Sequence, residues 1–435
     1  MNNTLLLNPH LGLTRLILAS SLVISATYAV QAADGTWKTA GGDWSAAATS
    51  WVDTIADGAG ATANITNNIA ATATVTIDTT SRTLGVLNMG DTNGTNNFTL
   101  TQSGGATLFF NNTSSNAQLN VVSGSGTQAT ALSVPLKLDS SLDISNSSSG
   151  LLTFNTGSTI SGNSTGTKTV SNVGTGSGGT LISGVISNGS GTVALAQNSA
   201  TSSLTISGAN TYTGGTTVSA GKLTVNTGGA LGTGPVNLTG GSLVYNTTTS
   251  TTGQFPSTIS VENASLSGTG NIRSAVTVGA GGIITPSVGN GLKLNIAGGN
   301  ITGTAVTMNT GSAFAFDLAA ATPSQLRFFS FVSNDLVLNG DVFLNITNAK
   351  AGTFTLMSFF TDPSGTSAAT SGVVTTGLTL GSGFTGFDAL INYNPGTISL
   401  TLTTSTIPEP STFSAILGLA ACAFAGSRRR RNHTA

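Results

Sequence analysis

Short stretches of alternating apolar and polar residues, each followed by glycine, asparagine or serine, recur along residues 33–406. Successive side chains of a strand point to opposite faces, so this alternation is typical of strands with one buried face. β-Branched and aromatic residues favour strands, and the residues that follow them favour turns. The clearest examples are TVTID (74–78), FTLTQ (98–102), TLFF (107–110), LTFN (152–155), KLTV (222–225), SLVY (242–245) and ISLTLT (398–403). The sequence therefore predicts an all-β body without sustained helices.

Two all-β architectures compete for such a chain: a set of sandwiches, or a solenoid in which short coils stack. Gly-Gly pairs begin at Gly214, Gly228 and Gly240, 14 and 12 residues apart, which suits short strands joined by tight turns. In a solenoid, aliphatic side chains point inward while threonine, serine and asparagine face water. We expect a right-handed parallel β-helix.

Charge is scarce, at 7% of residues against roughly 25% in ordinary globular proteins. Without Arg15, Glu409 and the four arginines at 428–431, the body has 14 acidic and 9 basic residues, a net charge of −5. No basic patch is present to bind nucleic acid. Valine, isoleucine and leucine recur throughout, which indicates a folded chain.

Cysteine and histidine are missing from residues 33–406. The single cysteine is Cys422, and the two histidines are His10 and His433. The body therefore has no disulfide and no thiolate or imidazole to hold a transition metal. A Ser-His-Asp or Cys-His catalytic site cannot be built from it. We expect no cofactor and no metal.

The N-terminus has the pattern of a secretory signal peptide. An apolar run at 16–30 follows Arg15, and Val30-Gln31-Ala32 precedes Ala33 with small residues where a signal peptidase reads. This pattern predicts a signal peptide over residues 1–32, cleavage between Ala32 and Ala33, and export of the chain.

One segment, at 203–246, has a specific sequence signature. It reads SLTISGANTYTGGTTVSAGKLTVNTGGALGTGPVNLTGGSLVYN and closely resembles the autotransporter-associated β-strand repeat. The matching residues are Ser207, Gly208, Asn210, Thr211, Tyr212, Gly214 and Thr216. The resemblance implies a β-helical stalk. The lysine-containing strand that usually precedes this repeat is replaced here by VALAQNSATSS (193–203), which leaves the number of repeats open.

The C-terminus differs from everything before it. Pro408, Glu409 and Pro410 precede a 15-residue apolar run at 413–427 and a basic cluster, Arg428, Arg429, Arg430 and Arg431. As a helix the run is about 22 Å long, short of the roughly 30 Å hydrocarbon core of a bilayer. Arginines after such a segment favour a cytoplasmic C-terminus. We expect a single C-terminal transmembrane helix that inserts transiently in the inner membrane.

This tail closely resembles the PEP-CTERM sorting signal. The resemblance implies processing by an exosortase in bacteria that make exopolysaccharide, with Pro408, Glu409 and Pro410 as the sorting motif. Ile407 stands where valine is commoner in that family.

The only three tryptophans, Trp37, Trp44 and Trp51, are seven residues apart. Exposed, they would form an aromatic platform that binds glycans. Buried, they would form a plug over the first coil, because the ends of solenoids need capping. We favour the plug and keep the platform as the alternative.

The acidic residues are candidate catalytic carboxylates, because glycosidases use a facing pair. The nearest pairs by sequence are Asp53 with Asp57 and Asp139 with Asp143, and neither has a basic cluster beside it in the sequence. We interpret them as solvated turn residues and expect no catalytic site. The stretch DTNGTNN (91–97) lacks the acidic residues of an EF-hand loop.

Together these features divide the chain into a signal peptide (1–32), an N-terminal solenoid region with a tryptophan cap (33–170), the repeat region (171–300), a C-terminal β region (301–404) and the sorting signal (405–435). We expect a non-enzymatic exported protein of the cell surface or extracellular matrix, with an exosortase as processing partner and envelope glycans or exopolysaccharide as candidate ligands. The alternatives are a carbohydrate-binding module and a β-helix polysaccharide lyase or hydrolase.

Overall fold

The computed structural model describes residues 32–122, 129–247, 256–286, 293–297, 304–319, 325–329, 336–360 and 377–405. Within these residues the chain forms 38 strands and one four-residue helix, α1 (Ala47–Ser50), which the sequence did not predict. The signal peptide up to Gln31 and the sorting signal from Thr406 lie outside the described residues.

The strands of the first half are short, mostly two to six residues. In chain order they are β1 (Gly35–Thr36), β2 (Gly42–Asp43), β3 (Thr62–Ile65), β4 (Ala73–Ile77), β5 (Arg82–Leu84), β6 (Val86–Met89), β7 (Phe98–Gln102), β8 (Leu108–Phe110), β9 (Ala117–Val121), β10 (Thr130–Ser133), β11 (Leu136–Leu138), β12 (Leu142–Asn146), β13 (Leu152–Phe154), β14 (Ile160–Gly162), β15 (Thr167–Asn172), β16 (Thr180–Ile182), β17 (Ile186–Ser187), β18 (Thr192–Gln197) and β19 (Leu204–Ile206).

The second half continues in the same way until its last elements, which are longer. Its strands are β20 (Thr216–Val218), β21 (Lys222–Val225), β22 (Val236–Leu238), β23 (Ser242–Tyr245), β24 (Thr258–Val261), β25 (Ser265–Gly268), β26 (Asn271–Ile272), β27 (Ala275–Val278), β28 (Ile283–Pro286), β29 (Lys293–Ala297), β30 (Val306–Asn309), β31 (Ala313–Asp317), β32 (Gln325–Phe329), β33 (Leu336–Asn339), β34 (Val342–Thr347), β35 (Gly352–Phe360), β36 (Leu378–Leu380), β37 (Phe387–Asn394) and β38 (Thr397–Thr404).

Until the final hairpin, successive strands belong to different sheets, so the chain coils. Sheet 1 has 13 strands, from β1 and β3 through every third strand to β18 and then on to β33. Sheet 2 has 14 strands, from β2 and β4 to β36. Sheet 3 joins β5, β8, β11, β14 and β17, and sheet 4 joins β26, β29, β32, β35, β38 and β37. The expectation of an all-β chain with stacked parallel strands, as in a β-helix, is confirmed.

Inward positions align from one coil to the next and form continuous apolar columns. In sheet 2 the register places together Leu100, Leu132, Phe154, Ile182, Ile206, Val225 and Tyr245. All of these side chains are buried. Because side chains alternate across a strand, the hydroxyls and amides between them face outward. The column is the core of the protein.

Between β18 and β25 the coils contribute strands to sheets 1 and 2 only, as far as the described residues show. These coils are short: Thr216 pairs with Val236, 20 residues further along. At 207–215 and 226–235, turns and irregular backbone stand where a third strand would lie. The sequence analysis places the boundary between the N-terminal region and the repeat region after residue 170. That position lies inside β15, and sheets 1 and 2 continue across it.

Buried polar side chains replace apolar ones at a few inward positions of sheet 1. The buried Asn172 donates its amide hydrogens to Gln197 Oε1 (2.7 Å) and to the Ser202 carbonyl (2.7 Å), and it accepts from the Thr180 hydroxyl (3.1 Å). Asn146 lies on the preceding coil, two residues beyond the partner of Asn172, and donates to the Gly150 and Gly179 carbonyls. Buried amides are tolerated here because each is paired.

The last two strands depart from the expected parallel arrangement. Strand β38 pairs antiparallel with both β35 and β37. The turn that joins β37 to β38 is tight, with Asn394 paired to Thr397 and Gly396 at a φ of +74°. Glycine adopts this conformation without strain, so a hairpin forms where another coil would otherwise begin.

No helix in the described part of the chain is long and apolar enough to cross a membrane. The C-terminal transmembrane helix that the sequence predicts, at 413–427, lies outside the described residues.

The core assignment predicts the effect of a charge at Leu223. This side chain is fully buried between Leu204 and Leu243 of the neighbouring coils. We expect Leu223→Asp to lower the free energy of unfolding by several kcal/mol, because a carboxylate there loses its water. Chemical denaturation measures the loss, and limited proteolysis should show it concentrated near residues 200–250. The matched control is Thr224→Asp on the outer face, and an equal loss in both variants would contradict the assignment.

Candidate functional site

Three places carry the residues that the sequence analysis singled out: the tryptophans at the first coil, the acidic residues, and the repeat segment at 203–246. The sorting motif, Pro408, Glu409 and Pro410, and the arginine cluster at 428–431 lie outside the described residues.

The tryptophans meet in one cluster at the start of the stack. The Trp51 ring lies edge-on to both others, with ring centroids 5.1 Å from Trp37 and 4.9 Å from Trp44. The Trp51 indole N–H donates to the Trp44 carbonyl (2.7 Å), and that of Trp44 donates to the Ala56 carbonyl (3.1 Å). Edge-to-face packing and these two N–H bonds favour burial of the rings. The indole N–H of Trp37 is buried without a hydrogen-bond partner among the described residues.

The backbone of this cluster extends the two long sheets. The Trp37 amide donates to the Asn64 carbonyl (2.8 Å) in β3, and the Trp44 amide donates to the Thr76 carbonyl (2.8 Å) in β4. The three rings are 0–1% exposed. A glycan platform needs an exposed aromatic face, and none of these rings offers one. The geometry is that of a plug packed on the first coil.

Ala32 and Ala33, the expected cleavage residues, lie next to this cluster. Ala33 exchanges two backbone hydrogen bonds with Asp57, at 2.9 and 3.0 Å. Ala32 packs against the core. The residue that would become the new N-terminus is thus part of the folded body.

The acidic residues serve the backbone and neighbouring coils. Asp57 Oδ2 pairs with Arg82 (3.0 Å), while its Oδ1 accepts from the amides of Gly58 and Thr83. Arg82 is largely buried and also donates to the Ser45 hydroxyl (2.6 Å). The sequence analysis missed this ion pair, because 25 residues separate its partners and only coiling brings them together.

The second acidic pair and the DTNGTNN loop are engaged in the same way. Asp139 accepts from the Asn163 amide (2.8 Å) and Asp143 from the Asn116 amide (3.1 Å). The buried Asp91 accepts from the backbone amide of Asn96 (2.9 Å) in its own loop. Among the described residues, no group of three or more His, Cys, Asp or Glu side chains could hold a metal ion.

The repeat segment supplies the third side of the short coils. Asn210 is buried, and its side chain accepts from the Ile186 amide (2.7 Å) and donates to the Ala230 carbonyl (2.6 Å). It therefore bridges the coil before it and the coil after it. The bonds are those that a strand of sheet 3 would otherwise provide.

Tyr212 fills the interior behind this bridge. It is fully buried, and its hydroxyl bonds to the Thr216 hydroxyl at 2.6 Å. Burial raises the pKa of Tyr212 well above its ordinary value, and the bond to Thr216 opposes this only in part. A large aromatic ring replaces the aliphatic residues that a third strand would bury.

Glycines of the repeat lie where the coils approach most closely. A Cβ on Gly208 would collide with the Gly184 carbonyl, and one on Gly232 with the Tyr212 carbonyl. Gly232 also has a φ of +63°, which favours glycine. The S-G-x-N-T-Y pattern thus has a structural explanation at each of its buried positions.

No protein-family model matches this sequence, and no curated protein has a significantly similar sequence. The resemblance of 203–246 to the autotransporter-associated repeat, and that of the tail to the PEP-CTERM signal, stay predictions. The side chains of Asn210 and Tyr212 hold neighbouring parts of the coils together, and their polar groups bond to other groups inside the protein.

The plug predicts that Trp44 matters for stability. We expect Trp44→Ala to lower the free energy of unfolding by about 3–5 kcal/mol, because it leaves a large cavity and frees the Ala56 carbonyl. Thermal or chemical denaturation of the purified body measures this. The matched control is Val52→Ala, since Val52 is 55% exposed. A Trp44 variant as stable as the Val52 variant would contradict the plug.

The buried hydroxyl of Tyr212 predicts a dependence of stability on pH. Unfolded tyrosine ionises near pH 10, whereas the folded state holds the Tyr212 proton to higher pH. This contribution is therefore fully present below pH 10 and is lost as pH rises above it, by at most about 1.4 kcal/mol per pH unit. Comparing the free energies of unfolding of the wild type and Tyr212→Phe at pH 9, 10 and 11 isolates it. Parallel curves for the two proteins would contradict this assignment, and Thr216→Val, which keeps the tyrosine, serves as control.

Proposed function

We propose that this chain is a non-enzymatic structural or adhesion protein, exported through its N-terminal signal peptide and sorted by an exosortase to the cell surface or extracellular matrix. The observation that carries the proposal is the long stack of parallel coils, which together enclose one continuous apolar core. Such a stack gives a repetitive outer surface on a rigid support, which suits a stalk or scaffold.

The finer features of the fold belong to the same proposal. We expect the coils to be right-handed, because parallel strands joined by crossovers are right-handed in about 98% of cases. We expect the run at 413–427 to form the single transmembrane helix, with Arg428 to Arg431 in the cytoplasm. At about 22 Å as a helix, the run is too short to be a secure permanent membrane anchor, which suits transient insertion.

The outer surface supports contact with uncharged partners. Residues 169–261 contain one charged side chain, Lys222. Their outward positions in sheet 1 include Thr217, Asn237 and Ser260, which are exposed or half-buried. Hydroxyl and amide groups of this kind can bond to the hydroxyls of neutral glycans. A carbohydrate-binding role would therefore use these faces, since the tryptophans are buried.

The tail provides the test of sorting. We expect secreted protein to lack residues from about Ser411 onward, and we expect replacement of Pro408, Glu409 and Pro410 by alanine to leave full-length chain in the inner membrane. Intact-mass analysis of the secreted form and of the membrane fraction measures both. An extracellular species that still ends in Arg428 to Ala435 would contradict sorting by this tail.

A further inference from the structure

The described part of the chain ends at a defined point of the body. Strand β38 ends at Thr404, which pairs with Phe387 at the start of β37. The next amide, that of Ser405, donates to the Gly386 carbonyl (3.0 Å). The body is therefore ordered and hydrogen-bonded up to three residues before Pro408.

A short loop, residues 381–386, lies at this point, and we call it the exit loop. Strand β34 holds it in place: the Gly381 amide donates to the Leu344 carbonyl (2.8 Å) and the Ser382 amide to Asn345 Oδ1 (2.8 Å). The Ile346 amide donates in return to the Ser382 carbonyl (3.0 Å). Apart from the half-buried Phe384, every residue of the exit loop is exposed. The exit loop is a preformed, accessible surface.

The distance from this surface to the sorting motif is limited by the chain itself. Pro408 is three positions after Ser405, and a fully extended chain spans at most about 3.6 Å per residue, or roughly 11 Å in all. A single helix with its side chains is about 10–12 Å across. A helix of the processing enzyme that packs between Pro408 and the body therefore occupies the whole distance between Pro408 and Ser405, and so touches the body.

We propose that the enzyme which processes the sorting motif docks against the exit loop, so that its recognition surface includes the folded end of this body. The inference rests on the proposed function, and it adds a second contact site outside the motif. The exit loop has no charged side chain, and its glycines, Ser382 and Thr385 leave room for close approach. It fits an uncharged partner surface that bonds through amides and hydroxyls.

Bulk on the exit loop should obstruct this docking. In a host that carries the exosortase, we expect full-length Thr385→Arg to be processed about tenfold more slowly than the wild type, equivalent to about 1.4 kcal/mol. Pulse-chase labelling with intact-mass analysis measures the rate. The matched control is Asn394→Arg, an exposed residue at the far end of β37, about 24 Å along the strand. We expect the control to be processed at the wild-type rate.

A spacer separates close contact from other effects of the arginine. Ten Gly-Ser residues inserted after Ser405 should restore processing of Thr385→Arg, because the enzyme then reaches Pro408 without touching the body. If Thr385→Arg does not fold, a photoreactive phenylalanine derivative at position 385 replaces it. That probe should crosslink to the enzyme, and the same probe at position 394 should not.

The outcomes distinguish this inference from the proposed function. If the triple alanine variant of the motif is processed normally, sorting by the tail is wrong. If that variant is blocked while Thr385→Arg is processed like the wild type, only docking at the exit loop is overturned. Slowing that the spacer does not relieve, or no crosslink from position 385, would also overturn it.

Discussion

Register between neighbouring coils is the constraint on which the whole structure depends. The backbone of each strand hydrogen-bonds to a strand of the next coil. Each inward side chain must therefore stack on an inward side chain of that coil, as Leu204, Leu223 and Leu243 do. A shift of one residue would turn a column of aliphatic side chains toward water. The buried amides of Asn172 and Gln197 reinforce this, because their bonds form only when the two coils are aligned.

A stack of parallel coils leaves unpaired backbone at its ends, which invites association with other chains. At the first coil, the rings of Trp37, Trp44 and Trp51 pack on the end of the apolar core and cover it. At the other end sheet 4 changes direction, and β38 lies antiparallel between β35 and β37. The same hairpin forms the last part of the body that the structure describes.

The coils vary in outline without losing the core. Where the third strand is absent among the described residues, Asn210 bridges the adjoining coils and Tyr212 fills the interior. One polar side chain and one large ring therefore replace a strand of backbone bonds and aliphatic residues. This tolerance lets coils of different length share one column and one continuous outer surface.

The all-β class and the stacked-coil arrangement could be predicted from the sequence, because alternation and turn residues are local signals that tertiary contacts reinforce at every coil. The sequence also named Asn210 and Tyr212 through the pattern at 203–246. The role of these residues, the burial of the tryptophans and the pairing of Arg82 with Asp57 follow from the folded structure alone. So does the point where the parallel order ends. These outcomes depend on which residues, 20 or more positions apart, are brought together by one turn of the coil, and single-strand periodicity contains no information about that distance.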